Sequence, residues 1–516
     1  MSKLKSVFKK AVRPLIIVIA VLFSGAAIFS TYFAVVSFAS VKIVLDRDVK
    51  YQTMEGFGMS AAWTFQDVGV DGEAADKTAG MLFGNEGMKL DTLRFNIGAG
   101  TKEIENGYMD GRTRATESFF DSGKYTSVQS FSDPENYDFT RDGAAMNTFD
   151  RCIETGNVKT VVLFANSPHY LLTANGKGNG TNKFENNLPE ENYGAFADYM
   201  IIIAGYFYKK LSALENPPQI YISPVNEPQW DWGGNDATQE GCHFDPAPLA
   251  KFYDVFYTKL KAYNEANGTN LKPDFFESGN YTISARELSK FKEYIGEFKK
   301  YPFFYELEHI SVHSYGANNN ERKRKTYKKY ADGNLKGLSV HMSEYCVMRG
   351  GLDLGIDTGI ESAGVMLKDL TLLSASQWCW WLGAATNGEK TGAWYEDGLI
   401  YYTTDKGRFD FFTTKRYYTL SQFTRFISAG DVRIKVATND INGLDGLESC
   451  AFEKPDGKIV VVLINHRNRG RRLSSPAGYT LAGATVTDGS RNLESVQVEK
   501  FSIPAKSVVT LEFNKI

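Results

Sequence analysis

The stretch IYISPVNEPQW, residues 220–230, joins a short β-prone run to an abrupt polar end. A short apolar run of this kind is typical of a buried parallel strand. The run stops at Glu227, and Pro228 fixes the backbone immediately after the acid. Because the ends of parallel strands meet at the mouth of a barrel, Glu227 is a candidate catalytic acid at such a mouth.

Seven other β-like runs are spread along the chain, at residues 54–58, 90–96, 160–166, 274–277, 310–315, 338–344 and 375–381. Apolar residues at helical spacing lie between most of them, at 193–211, 249–266, 285–299 and 360–373. This alternation predicts an α/β fold, a (β/α)₈ TIM barrel. A doubly wound sheet is the alternative, but it normally has fewer strands and does not explain why each strand ends in a polar or aromatic residue.

The pattern changes after about residue 418, where short strands alternate with Gly, Asn, Asp and Pro turns. They lie at 432–436, 448–453, 458–465, 485–487, 496–502 and 507–513. This spacing predicts an accessory antiparallel β-sandwich domain. The predicted boundaries are 56–420 for the barrel and 421–516 for the sandwich, with a strand segment at 41–55 contributing to the sandwich.

The N-terminus carries a targeting pattern. Basic residues at positions 3, 5, 9, 10 and 13 precede an apolar run at 15–39 that is long enough to span a bilayer. Residues 1–40 are therefore predicted to be a signal-anchor helix, or a signal peptide cut after the small-x-small pattern at 37–39. Either form exports the rest of the chain to the cell surface or the medium, with membrane contact through this segment only.

Bulk composition excludes several classes of protein. Lys and Arg total 58 against 61 Asp and Glu, a net charge of −3, which gives no electrostatic basis for a nucleic-acid partner. The five cysteines are widely spaced and form no CxxC pair, so mostly free buried thiols are expected. There is no HxH or HExxH pattern, and the Gly-rich stretch at 176–180 does not join a strand to a helix. No metal or cofactor is expected, and the protein is expected to be a monomer.

A second glutamate shares the context of Glu227. Glu344 ends the seventh predicted strand, which faces the fourth across the barrel mouth. Glycosidic bond cleavage needs one protonated carboxyl to expel the leaving oxygen and one carboxylate to attack or to activate water. Either glutamate alone could equally be solvated or salt-bridged, so the hypothesis depends on both lying at one mouth.

Other strand ends supply candidate contacts to a sugar. Arg94 could orient Glu344 and keep it ionised, or could pair with another carboxylate for structural reasons. His313 could be a satisfied core histidine or a substrate contact. The remaining candidates are aromatic or amide side chains that could stack on sugars or hydrogen-bond their hydroxyls, or could belong to the core: Trp63, Asn166, Trp230, Trp232, Tyr315, Trp380 and Trp381.

These pieces together resemble glycoside hydrolase family 30, a family of retaining (β/α)₈ glycosidases. The matching stretches are EGFGMSAAW (55–63, ending in Trp63), LRFNIGAG (93–100), ANSP (165–168), SPVNEPQW (223–230), HSYG (313–316) and SEY (343–345). The resemblance covers nearly all of residues 41–516. It implies that Glu227 is the acid/base, that Glu344 is the nucleophile and that Asn226 contacts the sugar 2-hydroxyl. It also implies a sandwich built from both chain ends and a polysaccharide or oligosaccharide substrate.

The loop TQEGCHF, residues 238–244, is similar to members that act on β-1,6-linked galactan side chains of arabinogalactan. This similarity places His243 among the candidate substrate contacts. Relatives cleave β-1,6-glucan, xylan, glucosylceramide or simple β-glucosides, which remain alternative substrates. Two alternatives without enzymatic activity are a surface lectin that keeps the barrel for glycan capture and a structural cell-surface protein.

Overall fold

The structure is a computed structural model that describes residues 40–104, 114–234, 238–279, 285–318, 320–387, 394–438, 446–499 and 501–516. The predicted signal or anchor segment at 1–40 lies outside these residues except for Ser40. Among the described residues, no helix has both the length and the apolar character needed to cross a bilayer.

Eight parallel strands form the predicted TIM barrel, which is confirmed. After a first strand, β1 (Val41–Thr53), the barrel strands are β2 (Gly56–Ser60), β3 (Thr92–Asn96), β4 (Thr160–Phe164), β5 (Gln219–Ser223), β6 (Lys272–Pro273), β7 (His309–His313), β8 (Ser339–Tyr345) and β9 (Ala375–Ala385). A bridge between Ser278 and Val312 joins the fifth and sixth barrel strands. Because β9 pairs with both β8 and β2, the sheet closes into a ring.

The fifth barrel strand differs from its prediction. Residues 274–277 were expected to form it, but the regular strand is only β6, and the following residues continue as irregular backbone. They still bond to both neighbours, since Asp274 N donates to Ile222 O (2.9 Å) and Phe275 O accepts from Ser311 N (2.7 Å). Glu277 has a positive φ of 54°, which is incompatible with a regular ladder.

The helices surround the barrel. They are α1 (Thr64–Val68), α2 (Gly72–Leu82), α3 (Gly143–Glu154), α4 (Tyr193–Leu211), α5 (Pro246–Asn267), α6 (Ala285–Phe298), α7 (Glu321–Asn334), α8 (Ile356–Lys368) and α9 (Lys415–Thr424). The four helical patterns in the sequence fall on α4, α5, α6 and α8, and the last of them ends in a π turn (Asp369–Leu373). Apolar residues three or four positions apart, such as Phe196, Met200 and Ala204 of α4, are buried against the barrel.

Beyond the barrel, the hairpin β10 (Gly398–Asp405) and β11 (Arg408–Thr413) extends the barrel sheet from β9. The predicted sandwich follows and is confirmed. Its strands are β12 (Val432–Thr438), β13 (Leu447–Glu453), β14 (Ile459–Asn465), β15 (Arg471–Ser474), β16 (Tyr479–Thr487), β17 (Glu494–Ser495), β18 (Ser502–Ile503) and β19 (Ser507–Lys515). β1 lies between β12 and β15, so both ends of the described chain share one sheet.

The central strand β14 is buried on both faces. Ile459, Val461 and Leu463 belong to the sandwich core. The alternate positions Val460, Val462 and Ile464 belong to the core of the barrel domain. Because side chains alternate along a strand, β14 fuses the two domains into one rigid support for the barrel.

All five cysteines are free and buried, as their spacing predicts.

Candidate active site

Glu227 lies at the end of the fourth barrel strand, in the left-handed backbone region with φ of 43°. Its N–H donates to Glu277 O (3.0 Å), and its own carbonyl accepts from Trp232 Nε1 (2.8 Å) and Trp230 N (3.1 Å). Such a conformation persists only where the surroundings hold it, and here three hydrogen bonds do so.

The carboxylate of Glu227 packs against bare backbone. A Cβ added at Gly279 would lie 2.1 Å from Glu227 Oε1, so only glycine leaves room for this side chain. The same oxygen lies 2.9 Å from His313 Nδ1. Glu227 is therefore fixed between a glycine and an imidazole.

Glu344 lies near the end of the seventh barrel strand, β8. Here the ladder to β7 skips Ser343, because Val312 pairs with Met342 and His313 pairs with Glu344. This bulge brings Glu344 opposite His313, and bulges often re-aim side chains beside active sites. Arg94 Nη1 donates to Glu344 Oε2 (3.2 Å), and the Tyr315 hydroxyl donates to Glu344 Oε1 (3.1 Å).

The two glutamates meet across the barrel mouth. The distances among three atoms, a carboxylate oxygen of Glu227, a carboxylate oxygen of Glu344 and a ring nitrogen of His313, are all at most 4.8 Å. Both side chains are buried to at least nine-tenths. The sequence prediction that strands four and seven bring these acids together agrees with the geometry.

A third glutamate lies beneath the pair. Glu277 is fully buried and bonds to Arg94 Nη2 (3.1 Å) and to His313 Nε2 (2.7 Å). It also accepts hydrogen bonds from the hydroxyls of Ser223 (3.1 Å) and Ser343. The sequence places Glu277 at a strand end but gives it no role, because its partners come from four other strands.

The charged side chains in this cluster shift one another's pKa values. Burial alone would raise the pKa of Glu277, but the charges of Arg94 and His313 hold it well below its ordinary value. Burial alone would lower the pKa of His313, but the charges of Glu344 and Glu227 raise it to about 10. Arg94 and His313 are therefore both cationic near neutral pH, and Glu277 is ionised.

Burial also raises the pKa of Glu344 to about 7; the charges of Glu227 and Glu277 add to this effect, and those of His313 and Arg94 oppose it. Because Glu227 and Glu344 are so close, this raised titration belongs to the pair rather than to one residue. A pKa of about 7 means that the site gains or loses this proton close to neutral pH.

A cleft of about 560 Å³ opens above the pair, a size suited to a few sugar rings. It is lined by Asn226, Glu227, Trp230, Asp231, Trp232, Gln239, Tyr315, Gly316, Asn318, Glu344, Tyr345, Cys346, Val347, Met348, Arg349, Glu361 and Trp381. Of the candidate residues in the sequence, five share the cleft with the two glutamates: Asn226, Trp230, Trp232, Tyr315 and Trp381.

Arg94 and His313 lie below the cleft floor rather than in it. Both side chains are fully buried, and each bonds to the carboxylates. They therefore orient Glu227 and Glu344 and do not touch a ligand. For Arg94, this corrects its place among substrate contacts but agrees with its expected pairing with Glu344.

Of the two candidate tryptophans in the eighth barrel strand, only Trp381 reaches the cleft, and the expectation that Trp380 contacts substrate is corrected. Trp380 is fully buried, with Nε1 donating to the carbonyl of Asp397, and Trp381 lines the cleft. The ladder to β2 skips from Trp380 to Leu382, so Trp381 is the extra residue of a bulge. Trp63, in contrast to the expectation that it contacts substrate, does not line the cleft and packs edge-on against Trp381 (5.4 Å between ring centroids).

Asn166 does not line the cleft but hydrogen-bonds to Asn226, which does. Its Oδ1 accepts from Asn226 Nδ2 (3.2 Å), and its Nδ2 donates to Asn96 Oδ1 (3.2 Å). The Asn226 Oδ1 atom is buried and has no hydrogen-bond partner among the described residues. A ligand hydroxyl would satisfy this acceptor, so Asn226 suits sugar binding and Asn166 orients it.

His243 is buried and does not line the cleft, in contrast to the expectation that it contacts substrate. Its Nδ1 bonds to Trp230 O (3.0 Å). It therefore supports the tryptophan that faces the cleft.

Glu240 anchors the same loop. Its Oε1 accepts hydrogen bonds from the hydroxyls of Thr101 and Thr116, each at 2.6 Å. The residue before it, Gln239, lines the cleft. The sequence motif at 238–244 thus reaches the cleft through Gln239. The sequence alone does not indicate that Glu240 holds this loop in place.

Two groups of described residues bring three potential metal ligands together: Asp274 with His309 and His341, and Glu227 with His313 and Glu344. In the first, the imidazoles stack with 3.8 Å between centroids and 14° between planes, so their in-plane lone pairs do not converge on one ion. In the second, His313 carries a proton on both ring nitrogens when it is cationic. Both groups suit ion pairing better than metal binding.

A closed TIM barrel with two buried carboxylates at the carboxyl ends of opposed strands, under an aromatic cleft, defines a class of glycosidase-like enzymes. The model of "O-Glycosyl hydrolase family 30" matches residues 40–401, and that of the family's beta sandwich domain matches residues 430–511. The chain belongs to glycoside hydrolase family 30.

Three similar proteins illustrate the relationship. An endo-beta-1,6-galactanase from Hypocrea rufa is 23% identical, over 83% of this chain and 81% of its own length. A conserved exported protein from Bacteroides fragilis has a TM-score of 0.76 and 22% identity, covering 91% of this chain and 99% of that one. Xylanase C from Talaromyces cellulolyticus has a catalytic domain with a TM-score of 0.65 and 17% identity, covering 92% of this chain and all 100% of that domain.

Glu240 generates a prediction about stability. Burial raises its pKa to about 7, although the Thr101 and Thr116 hydroxyls oppose the shift. The folded state therefore holds this proton more tightly than the unfolded state, whose carboxyl titrates at about 4.3. The stability that this bound proton contributes is fully present below about pH 4.3 and is lost as the pH rises to about 7.

Glu240→Gln removes this titration and keeps an acceptor for both hydroxyls. We expect the free energy of unfolding of the variant to exceed that of the wild type increasingly from pH 5 to pH 8, by on the order of 3 kcal/mol at the upper end. Denaturant unfolding at several pH values measures the difference. If the free energies of unfolding of the two proteins change with pH in the same way, Glu240 is ionised over the whole range from pH 5 to pH 8.

Proposed function

We propose that this protein is a retaining glycoside hydrolase that works by double displacement, with Glu344 as nucleophile and Glu227 as acid/base. The observation that carries the proposal is the approach of the two carboxylates to within 4.8 Å. Retaining pairs lie about 5–5.5 Å apart, whereas inverting pairs lie about 6.5–9.5 Å apart to admit a water molecule.

The surroundings of Glu344 suit a nucleophile. It accepts hydrogen bonds from Arg94 and from Tyr315, and both donors favour the ionised form. In the first step, a Glu344 oxygen attacks the anomeric carbon and the bond to the leaving oxygen breaks.

In the same step Glu227 serves as the acid. Glu227 Oε1 lies 2.9 Å from His313 Nδ1, whereas Arg94 Nη1 and the Tyr315 hydroxyl donate to Glu344. Glu227 delivers its proton to the leaving oxygen, so that an alcohol rather than an alkoxide departs. His313 remains paired with Glu277 through its other nitrogen and keeps its position as the charge on Glu227 changes.

In the second step Glu227 acts as a base. It takes a proton from water, which attacks the anomeric carbon and releases Glu344. The free acceptor of Asn226 is placed for the 2-hydroxyl of the sugar, a contact that strengthens in the oxocarbenium-like transition state. Trp230 and Trp381 line the same cleft and offer apolar faces for the sugar rings.

The substrate we favour is the β-1,6-linked galactan of arabinogalactan side chains. Support comes from the relative named as an endo-beta-1,6-galactanase and from the 238–244 loop, whose Gln239 lines the cleft. A xylan backbone is the second candidate, since a xylanase shares the fold. β-1,6-Glucan and simple β-glucosides are outcomes that the substrate test also distinguishes.

We further infer that the enzyme works outside the cytoplasm as a monomer. The basic and apolar pattern of residues 1–40 supports export, and a structural relative is named as an exported protein. An exported enzyme meets polysaccharides that do not enter cells.

Variants of the two glutamates test the mechanism. Glu344→Gln should lower turnover of every substrate by at least about 10⁴-fold, because no other group replaces the nucleophile. Glu227→Ala should retain the first step on aryl glycosides with good leaving groups, and small anions such as azide should accelerate the second. Stopped-flow release of the aryl alcohol measures both.

Cys450→Ser, a buried change in the sandwich, serves as a control for handling and folding. Wild-type rates in Glu344→Gln would contradict the nucleophile assignment. Binding of glycans by the wild type without any release of reducing sugar would instead support a lectin.

A substrate panel tests the specificity. Purified enzyme is incubated with β-1,6-galactan, β-1,6-glucan, β-1,4-xylan and aryl β-glycosides, and the products are separated by chromatography. We expect products from β-1,6-galactan at rates well above those from the others. Products from xylan alone would overturn the galactan proposal and leave the carboxylate pair unaffected.

A further inference from the structure

The loop after the third barrel strand builds an outer rim beside the cleft. Gly180 pairs with Gly233, and Gly241 N donates to Gly178 O (2.8 Å). A Cβ added at Gly233 would lie 1.9 Å from Asn182 O, so the two segments are in close contact. This rim loop, residues 173–188, is thus held against the segment that lines the cleft.

Phe184 is the exposed aromatic of the rim loop. Its side chain is 52% exposed, and its backbone has a positive φ of 54°. A bulky residue rarely adopts this conformation, which costs on the order of 1–3 kcal/mol. The Phe184 N–H donates to Asp231 Oδ1 (3.1 Å), and this bond fixes the strained residue against a residue of the cleft.

The ring of Phe184 is also oriented by its neighbours. His243 meets it edge-on with 5.5 Å between centroids, and the ammonium of Lys290 lies 5.6 Å from its centre. The same His243 bonds to the carbonyl of Trp230, which is 37% exposed at the cleft. His243 therefore connects two exposed aromatic rings, one in the cleft and one outside it.

An exposed, oriented aromatic ring on strained backbone has no role in the folding core. Its exposed part gains nothing from burial on folding, whereas the strained backbone costs free energy. Such features are concentrated at binding sites, where a rigid ring offers a large contact area at little cost in conformational entropy.

We propose that Phe184 forms a remote subsite that stacks on an uncharged pyranose of a polysaccharide chain, beyond the sugars bound at the carboxylates. The proposal rests on the proposed glycosidase function and deepens it, since it makes the substrate a long chain. Trp230 and Asp231 lie between this subsite and Glu227, so a chain that occupies both runs along this wall of the cleft.

A chain-length series tests the remote subsite. The values of kcat/KM are measured for β-1,6-galacto-oligosaccharides from the disaccharide to the octasaccharide, or for the same series in the linkage that the wild type cleaves. Phe184→Ala should lower kcat/KM about tenfold on the longest members, through KM, the size of one lost stacking contact. The loss should disappear on chains that are too short to reach Phe184.

Two matched variants sharpen the result. Phe184→Trp keeps an aromatic face and should restore kcat/KM on long chains. Tyr305→Ala removes a ring that is 71% exposed but does not line the cleft, and it should leave the whole series unchanged. Thermal midpoints of all variants are measured alongside, because a purely structural role would change stability without dependence on chain length.

An equal loss on short and long chains, or no loss on any chain, would overturn the subsite. Titration of octasaccharide into Glu344→Gln by calorimetry separates this outcome from failure of the proposed function. If Phe184→Ala weakens binding about tenfold in that background, the subsite stands even where the catalytic assignment fails. Unchanged binding there refutes the subsite alone.

Discussion

The buried ion pair of Arg94 and Glu277 supports the whole site. Both side chains are fully inaccessible, and burying such charges costs several kcal/mol per ion unless each is paired and hydrogen-bonded. Glu277 meets this requirement with Arg94, His313 and two serine hydroxyls. With this carboxylate in place, Arg94 and His313 both stay cationic, and each reaches up to a glutamate of the cleft.

The charge balance of this cluster explains its chemistry. Two cations, Arg94 and His313, face the three carboxyl groups of Glu227, Glu277 and Glu344. One further proton makes the cluster neutral, which agrees with a raised titration in the pair. Glu277 fixes where the positive charge lies, so the proposed acid and the proposed nucleophile share one network of charges.

The sequence predicts the barrel, the sandwich and the opposed glutamates, because strand alternation and polar strand ends are local patterns. It does not predict the role of Glu277, whose backbone leaves the regular ladder and whose partners are distant in sequence. It also misplaces Trp380, since one bulge residue in β9 decides which tryptophan faces the cleft. His243 lies in a cleft-wall motif, but only the fold shows that it supports Trp230 from beneath. Local sequence patterns thus predict where strands and helices form, whereas the register of the paired strands decides which way each side chain points.

We propose that the close carboxylates impose double displacement. The stereochemistry of the first product, measured by proton NMR of the anomeric signals during the first minutes of hydrolysis, reports on this mechanism. We expect the β-anomer to form first and the α-anomer to appear only later, by mutarotation. Initial formation of the α-anomer would contradict it, because inversion requires a water molecule between carboxylates that this structure brings to within 4.8 Å of each other.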